Sequence, residues 1–249
     1  MTTFAVRSPA LRRSSALSCA TYGWGTPLLL IHGIGSAGSV FAPIIPALAA
    51  HFHLIVPDLR GFGRSCLLGN PKSVLEMAAD LPALFDVLGI RRCHVLGFGH
   101  GGLVAQQLAA YAPQRIHRMA LVATPAYPSR SLRQSVAMAL LPSLQRLLGT
   151  KLAERLTGGL NAASATPEVG NAAAARLLLK FDSRPLQAKI ETPTLIIHGD
   201  QDNFIRPHHA SMLATNMPNC RLQMINGAEH RLLQTHSETV SNLLVDWLH

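Results

Sequence analysis

The run Val95-Leu96-Gly97-Phe98-Gly99-His100-Gly101-Gly102 follows an apolar stretch and opens a helical one. A glycine turn between a strand and a helix can do two kinds of chemistry. Read literally, Gly97, Gly99 and Gly102 satisfy G-x-G-x-x-G, whose bare backbone cradles a dinucleotide pyrophosphate. That motif belongs to the first βαβ unit and needs an acidic residue about 20 positions on to hold a ribose. Here the glycines lie near residue 100, and the following strand, Met119 to Ala123, ends in Thr124-Pro125 with no acid. The second chemistry is a sharp turn that presents one residue and one backbone N–H to a pocket. Other groups able to react are Asp200 and Asp202, His230 and His236, the hydroxyls of Ser36 and Ser65, and the thiol of Cys66.

Short β-rich runs alternate with helical stretches through the first half, which predicts an α/β architecture with a mostly parallel central sheet flanked by helices. One or two strands are expected within residues 3 to 21, then strands at Leu28 to Ile31, His53 to Val56, Cys93 to Leu96 and Met119 to Ala123. Val40 to Ala50 has a helical pattern containing Pro43 and Pro46. Ser73 to Leu88 reads as a helix with Ser73 as its cap, Glu76 at the capping-box position and Gly89 as its stop. Leu103 to Tyr111 reads as another helix. No strand pattern appears from Ala126 to Ala188; helices are expected at Leu132 to Leu148, Lys151 to Leu156 and Ala172 to Lys180. Strands return at Thr194 to His198 and Arg221 to Ile225, before a final helix at Glu238 to Leu248. The chain therefore divides into a core, residues 1–125 and 189–249, and a helical cap insert, residues 126–188, placed where ligands bind in open α/β sheets.

Composition excludes several classes. With 48% hydrophobic and 14% charged residues, the 249-residue chain can bury a large core and is not a disordered one. The net charge is +9, but basic residues run no longer than the pairs Arg12-Arg13 and Arg91-Arg92, and aromatics are 5%. Without stacking platforms or a basic run, no nucleic-acid partner is expected. No apolar run approaches the roughly 18 residues of a membrane span. The N-terminus lacks the charged, apolar and small-residue order of a signal peptide, so a cytoplasmic location is expected. Cys19, Cys66, Cys93 and Cys220 form no CxxC clip and are expected as free thiols, and the 12 histidines include no HExxH. No metal and no organic cofactor are implied, and the sequence specifies no oligomeric state.

Five segments, in order, resemble those of the α/β-hydrolase family of esterases and lipases. Leu28-Leu29-Leu30-Ile31-His32-Gly33-Ile34-Gly35-Ser36 is similar to the family's HG oxyanion loop. Pro57-Asp58-Leu59-Arg60-Gly61-Phe62-Gly63-Arg64-Ser65 is similar to its P-D-x-x-G-x-G-x-S segment. Gly97 to Gly101 stands at the nucleophile elbow, G-x-S-x-G. Thr194 to Asp202 resembles the acid-bearing strand and turn, and Gly227-Ala228-Glu229-His230 the histidine loop.

The resemblance implies that Asp202 orients His230, that the backbone N–H groups of Ile34 and His100 form an oxyanion hole, and that His32 and Ser36 border the substrate pocket, His32 by orienting the oxyanion loop. Asp200 is an alternative acid, because Pro207 lies one position later than the family spacing for Asp202, and His236 is a lesser histidine candidate. The departure is at the nucleophile: Gly99 stands in the serine position and has no attacking atom. Three readings stay open. The Asp-His pair acts as general base on a water held in the vacated space, hydrolysing an ester, thioester, lactone or related carbonyl compound with an apolar portion. Alternatively, the protein is an inactive small-ligand binder or scaffold. In the third, it is a serine esterase disarmed by design. A nucleophile relocated to Ser36, Ser65 or Cys66 is a further variant.

Overall fold

A computed structural model describes residues 3–4, 17–128 and 172–249. Eight strands form one sheet in the order β1-β2-β4-β3-β5-β6-β7-β8. They are β1 (Thr3–Phe4), β2 (Cys19–Tyr22), β3 (Thr26–Ile31), β4 (Phe52–Pro57), β5 (Cys93–Phe98), β6 (Ile116–Val122), β7 (Thr194–Gly199) and β8 (Cys220–Ile225). The pairings β1·β2 and β2·β4 are antiparallel, and every other pairing is parallel. The strand order reverses between β3 and β5: the chain leaves β3 for β4 on one side and returns to β5 on the other. In open α/β sheets such a reversal leaves a ligand crevice at the carboxyl ends of the strands.

The central strands are apolar on both faces because both faces are covered. Leu29 and Ile31 of β3 join one core, while Leu28 and Leu30 join the other. The first core is packed by α2 (Val74–Val87) and α3 (Gly101–Tyr111), the second by α1 (Ile45–Ala49) and the C-terminal helix. Remaining described helices are α4 (Ala172–Lys180), α5 (Arg184–Gln187), α6 (His208–Asn216), α7 (Leu232–Thr235) and α8 (Ser237–Leu248).

The expected helix over Val40 to Ala50 is corrected to two pieces, a 3-10 turn at Gly38–Phe41 and then α1. Proline lacks the N–H that would continue a helix, so Pro46 sits at the start of α1 instead of within a longer one. At α2 the Glu76 amide donates to the Ser73 hydroxyl, as the capping pattern requires, but the Glu76 carboxylate accepts from the Lys72 amide, one residue earlier than in a standard box. Helix α6 was not expected from the sequence, although Pro207 at its start is a helix-opening signal.

The expected helices at Leu132 to Leu148 and Lys151 to Leu156 lie outside the described residues, as does most of the expected cap. Its two described ends meet: the Ala126 carbonyl accepts from Ser183 Oγ at 2.8 Å and Gln187 Nε2 at 3.2 Å. Ala174 and Leu178 of α4 are buried in the first core.

A partly enclosed ion pair fixes the loop after β4. Arg60 meets Asp80 of α2 through two parallel bonds of 2.7 Å, and its third nitrogen donates to the Leu68 carbonyl. Each side chain keeps 10% of its surface exposed, so removing one partner costs on the order of 1–3 kcal/mol, between the about 0–1 kcal/mol of an exposed pair and the about 3–5 kcal/mol of a fully buried one. Asp80→Ala is therefore expected to lower unfolding free energy by that order, measured by urea denaturation; a loss below about 1 kcal/mol would contradict the assignment.

Candidate active site

The crevice at the strand reversal contains a cavity of about 190 Å³. Gly33, Ile34, Ser36 and Val40 form one wall, Phe98, Gly99 and His100 the floor, and Phe204, His230, Arg231 and Gln234 the opposite wall. The floor is the turn between β5 and α3. A β-carbon on Gly97 would lie 2.5 Å from the Gly102 α-carbon, so the strand approaches the helix this closely only with glycine at 97, while a β-carbon on Gly102 would run into the Thr124 side chain after β6. Their spacing matches the dinucleotide motif for this packing reason. Gly99 holds φ +54° at the tip, where its amide donates to the Val122 carbonyl and its carbonyl accepts from the Gly102 amide. This left-handed conformation costs an L-residue about 1–2 kcal/mol, and glycine adopts it freely.

A side chain at Gly99 would face the imidazole of His230. An ideal β-carbon there lies 3.8 Å from both Nε2 and Cε1 of that ring, in ordinary contact without a clash. His230 lies on the loop between β8 and α7, and its Nδ1 is 2.9 Å from Oδ2 of Asp202. Asp202 follows β7 and is fully enclosed. Its Oδ1 accepts the amides of Phe204 and Ile205, both at 2.8 Å, so three N–H groups converge on one carboxylate. Nδ1–H pointing at Asp202 leaves Nε2 as the free lone pair, on the side of Gly99. Two phenyl rings stack on the imidazole: Phe204 at 4.6 Å and Phe98 at 5.5 Å between centroids. Phe204 carries no sequence signal beyond its place two residues after Asp202.

The amides of Ile34 and His100 border the cavity, and neither donates a hydrogen bond to another protein group among the described residues. Gly33 keeps these loops close, since its ideal β-carbon would sit 3.3 Å from the His100 nitrogen. Ser36 also lines the cavity, with Oγ donating to the Gly33 carbonyl at 3.0 Å. His32, expected to border the pocket, is sealed behind the loop and outside the lining. Its Nδ1 donates to its neighbour's carbonyl at Gly33, and its Nε2 accepts the Leu59 amide at 3.0 Å. Both nitrogens are thus spent tying the loop after β3 to the loop after β4.

The other candidates lie apart from the cavity. Asp200 is taken by the Gly227 amide at 2.7 Å. His236 contacts Thr235. Ser65 is buried and accepts the Ser18 amide, and Cys66 is exposed outside the lining. No group of three or more His, Cys, Asp or Glu suited to a metal occurs among the described residues. None of their helices is long and apolar enough to cross a membrane.

Several buried histidines surround this site and are held neutral. Burial, helped by the neighbouring His230 and His209, drives the His100 imidazole down to about 3. Burial, with His208 and His198 nearby, takes His209 to about 4, and it lowers His32 and His198 as well. Unfolding frees these rings to protonate at their ordinary value near 6.5. The folded state therefore has its full advantage above pH 6.5 and loses it as pH falls toward 4 and 3, because only the unfolded chain takes up protons there. His100 alone represents on the order of 3–5 kcal/mol. Urea midpoints are expected to fall steeply between pH 7 and pH 4.5; an unchanged midpoint would contradict this burial.

Comparisons with known proteins agree with the fold. A family model described as the alpha/beta hydrolase fold matches residues 26–156, more than half of the chain. The protein RutD of Stutzerimonas stutzeri (strain A1501) is 31% identical over 242 residues, spanning 89% of this chain and 91% of its own. A pimeloyl-(acyl-carrier protein) methyl ester esterase of Aeromonas hydrophila is 28% identical over 250 residues, spanning 90% and 95%. Among solved structures, the enol-lactonase from Burkholderia xenovorans LB400 is similar with a TM-score of 0.76 at 25% identity, covering 93% of this chain and 96% of that one.

Proposed function

The chain belongs to the α/β hydrolase family, and on that basis we propose that it is an ester-type hydrolase that attacks with water and forms no acyl-enzyme. The observation that carries this reading is the bare backbone of Gly99 opposite Nε2 of His230. Esterase and lactonase relatives support an ester, thioester, lactone or related carbonyl substrate with an apolar portion. The space that a serine side chain would fill is open to a water within reach of the imidazole lone pair.

In this mechanism the substrate carbonyl oxygen points at the amides of Ile34 and His100. His230 Nε2 takes a proton from the water as its oxygen bonds to the carbonyl carbon. Asp202 steadies the imidazolium through Nδ1–H, and the two stacked phenyls present their electron-rich faces to it. The tetrahedral oxyanion is held by the two backbone N–H groups. Collapse breaks the bond to the alcohol, which leaves with the proton from Nε2, and the carboxylic acid product forms. General-base help supplies typically 10²–10⁴-fold, and oxyanion stabilisation adds to it. Residues 126–188 are proposed as the cap over this site, setting substrate size. The absent nucleophile equally suits a second reading, a pocket that binds such a carbonyl compound without turning it over.

The test is hydrolysis of small activated esters by the unmodified protein and by His230→Ala. The proposal expects slow turnover that disappears in the variant. Turnover that survives in His230→Ala contradicts it, and no turnover in either favours the binding reading.

A further inference from the structure

Among the described residues, the cavity lining carries one formal charge, the guanidinium of Arg231, and no acidic residue. Asp202 lies beneath His230 with both oxygens engaged, so it offers no counter-ion. Arg231 is exposed, and among the described residues no carboxylate lies within ion-pair distance of it, so its charge is available to a ligand at the cavity. Arg231 is also firmly mounted: its carbonyl accepts the amides of Gln234 and Thr235 and the Thr235 hydroxyl. That anchoring fixes its α-carbon directly after the His230 base. One turn on, Gln234 lines the same cavity, and its Oε1 is sealed without a hydrogen-bond partner. That oxygen is an acceptor and does not serve a carboxylate; what Gln234 offers an acid is the pair of N–H donors on its NH2, which is not among the sealed groups.

We propose that the substrate carries a carboxylate on its non-reacting portion, which Arg231 pairs and Gln234 donates to while the ester carbonyl lies over Gly99. This deepens the ester-hydrolase reading and rests on it. Ser36 spends its hydroxyl on the Gly33 carbonyl, and Ile34, Val40, Phe98 and Phe204 present apolar side chains, so the segment between carboxylate and ester is hydrocarbon. The described lining encloses about 190 Å³, below the roughly 300–1,000 Å³ of drug-sized sites, which suits a short segment. The class is the half-ester of a short dicarboxylic acid, or the corresponding thioester or lactone acid. Arg231 here is a specificity residue: it selects and orients, and the reacting atoms are served by His230.

Two measurements test this. With the Gly99→Ser protein, monomethyl esters of short dicarboxylic acids are compared with methyl esters of equal length that lack the acid. The acid-bearing series should show the lower KM, and Arg231→Gln should raise that KM roughly tenfold to a hundredfold, the worth of a charge-assisted bond. The urea midpoint of the variant checks that it is folded, the neutral series is the reference that the acid-bearing series should approach, and Arg231→Lys should restore part of the preference. The second measurement needs no turnover: NMR titration of the unmodified protein with the matching dicarboxylic acid monoamides. These should bind more tightly than neutral amides, with a preference that weakens in added salt and in Arg231→Gln. Equal binding of acid and neutral probes, or a preference unchanged in Arg231→Gln, overturns the proposal. If Gly99→Ser turns over no ester yet the monoamide preference persists, the hydrolase reading fails and the carboxylate site stands. If Gly99→Ser is active without acid preference, the carboxylate site fails and the hydrolase reading stands.

Discussion

Gly99→Ser is expected to raise hydrolysis of small esters by at least about 10²-fold over the unmodified protein. The upper bound is about 10⁶, the cost in kcat of removing the nucleophile from a complete serine hydrolase. The reason is geometric. The new β-carbon sits 3.8 Å from His230 Nε2, so the hydroxyl oxygen one bond further on falls within the roughly 2.6–3.2 Å of a nucleophile-base hydrogen bond. Asp202 and the two free amides are already in place. The accompanying cost is backbone strain: a residue other than glycine at φ +54° costs about 1–2 kcal/mol, and a matching drop in unfolding free energy should accompany the gain. An accelerated, slightly less stable enzyme is the expected pair of results. A stable but unaccelerated variant would mean that the imidazole and the turn do not cooperate.

A second large loss is expected at Asp202. In Asp202→Asn, the side-chain oxygen can still accept the Phe204 and Ile205 amides, so the local fold is kept. The new NH2 then faces His230 Nδ1 and makes that nitrogen the acceptor, which places the ring proton on Nε2. An imidazole in that tautomer cannot take a proton from water. Activity of the unmodified protein should fall to the water background, a loss of about 10²–10⁴-fold, the whole contribution of a general base. In the Gly99→Ser background the same change should cost on the order of 10⁴. Steady-state rates for the four proteins check both statements. Losses under tenfold in both backgrounds would place the catalytic carboxylate elsewhere.

Much of this site is legible in the residues, because it depends on close approach and on order along the chain. The turn at Gly97 to Gly102 leaves a sequence trace since strand and helix backbones meet where no β-carbon fits. Asp202 and His230 follow a strand end and a glycine turn that the pattern already marks. His32 shows the limit. The resemblance gave it a loop-orienting role and a place at the pocket; it does tie the loop after β3, with its two nitrogens on backbone of two different loops, but from behind the lining, a partnership made only by tertiary folding. Phe204, Arg231 and Gln234 were missed for a related reason. Which faces of their short segments turn toward the crevice is decided by packing of the loops after β7 and β8, with no periodicity to announce it. The split of the expected Val40 to Ala50 helix follows from its prolines, a local cause that outweighs the apolar pattern.

Whether attack proceeds without a covalent stage is decided by intact-protein mass spectrometry, on samples quenched during turnover of an activated ester and after exposure to a fluorophosphonate. The unmodified chain should keep its mass in both experiments while product accumulates, and Gly99→Ser should gain one phosphonyl group. An acyl or phosphonyl adduct on the unmodified chain, at Ser36, Ser65, Cys66 or elsewhere, would contradict direct attack by water.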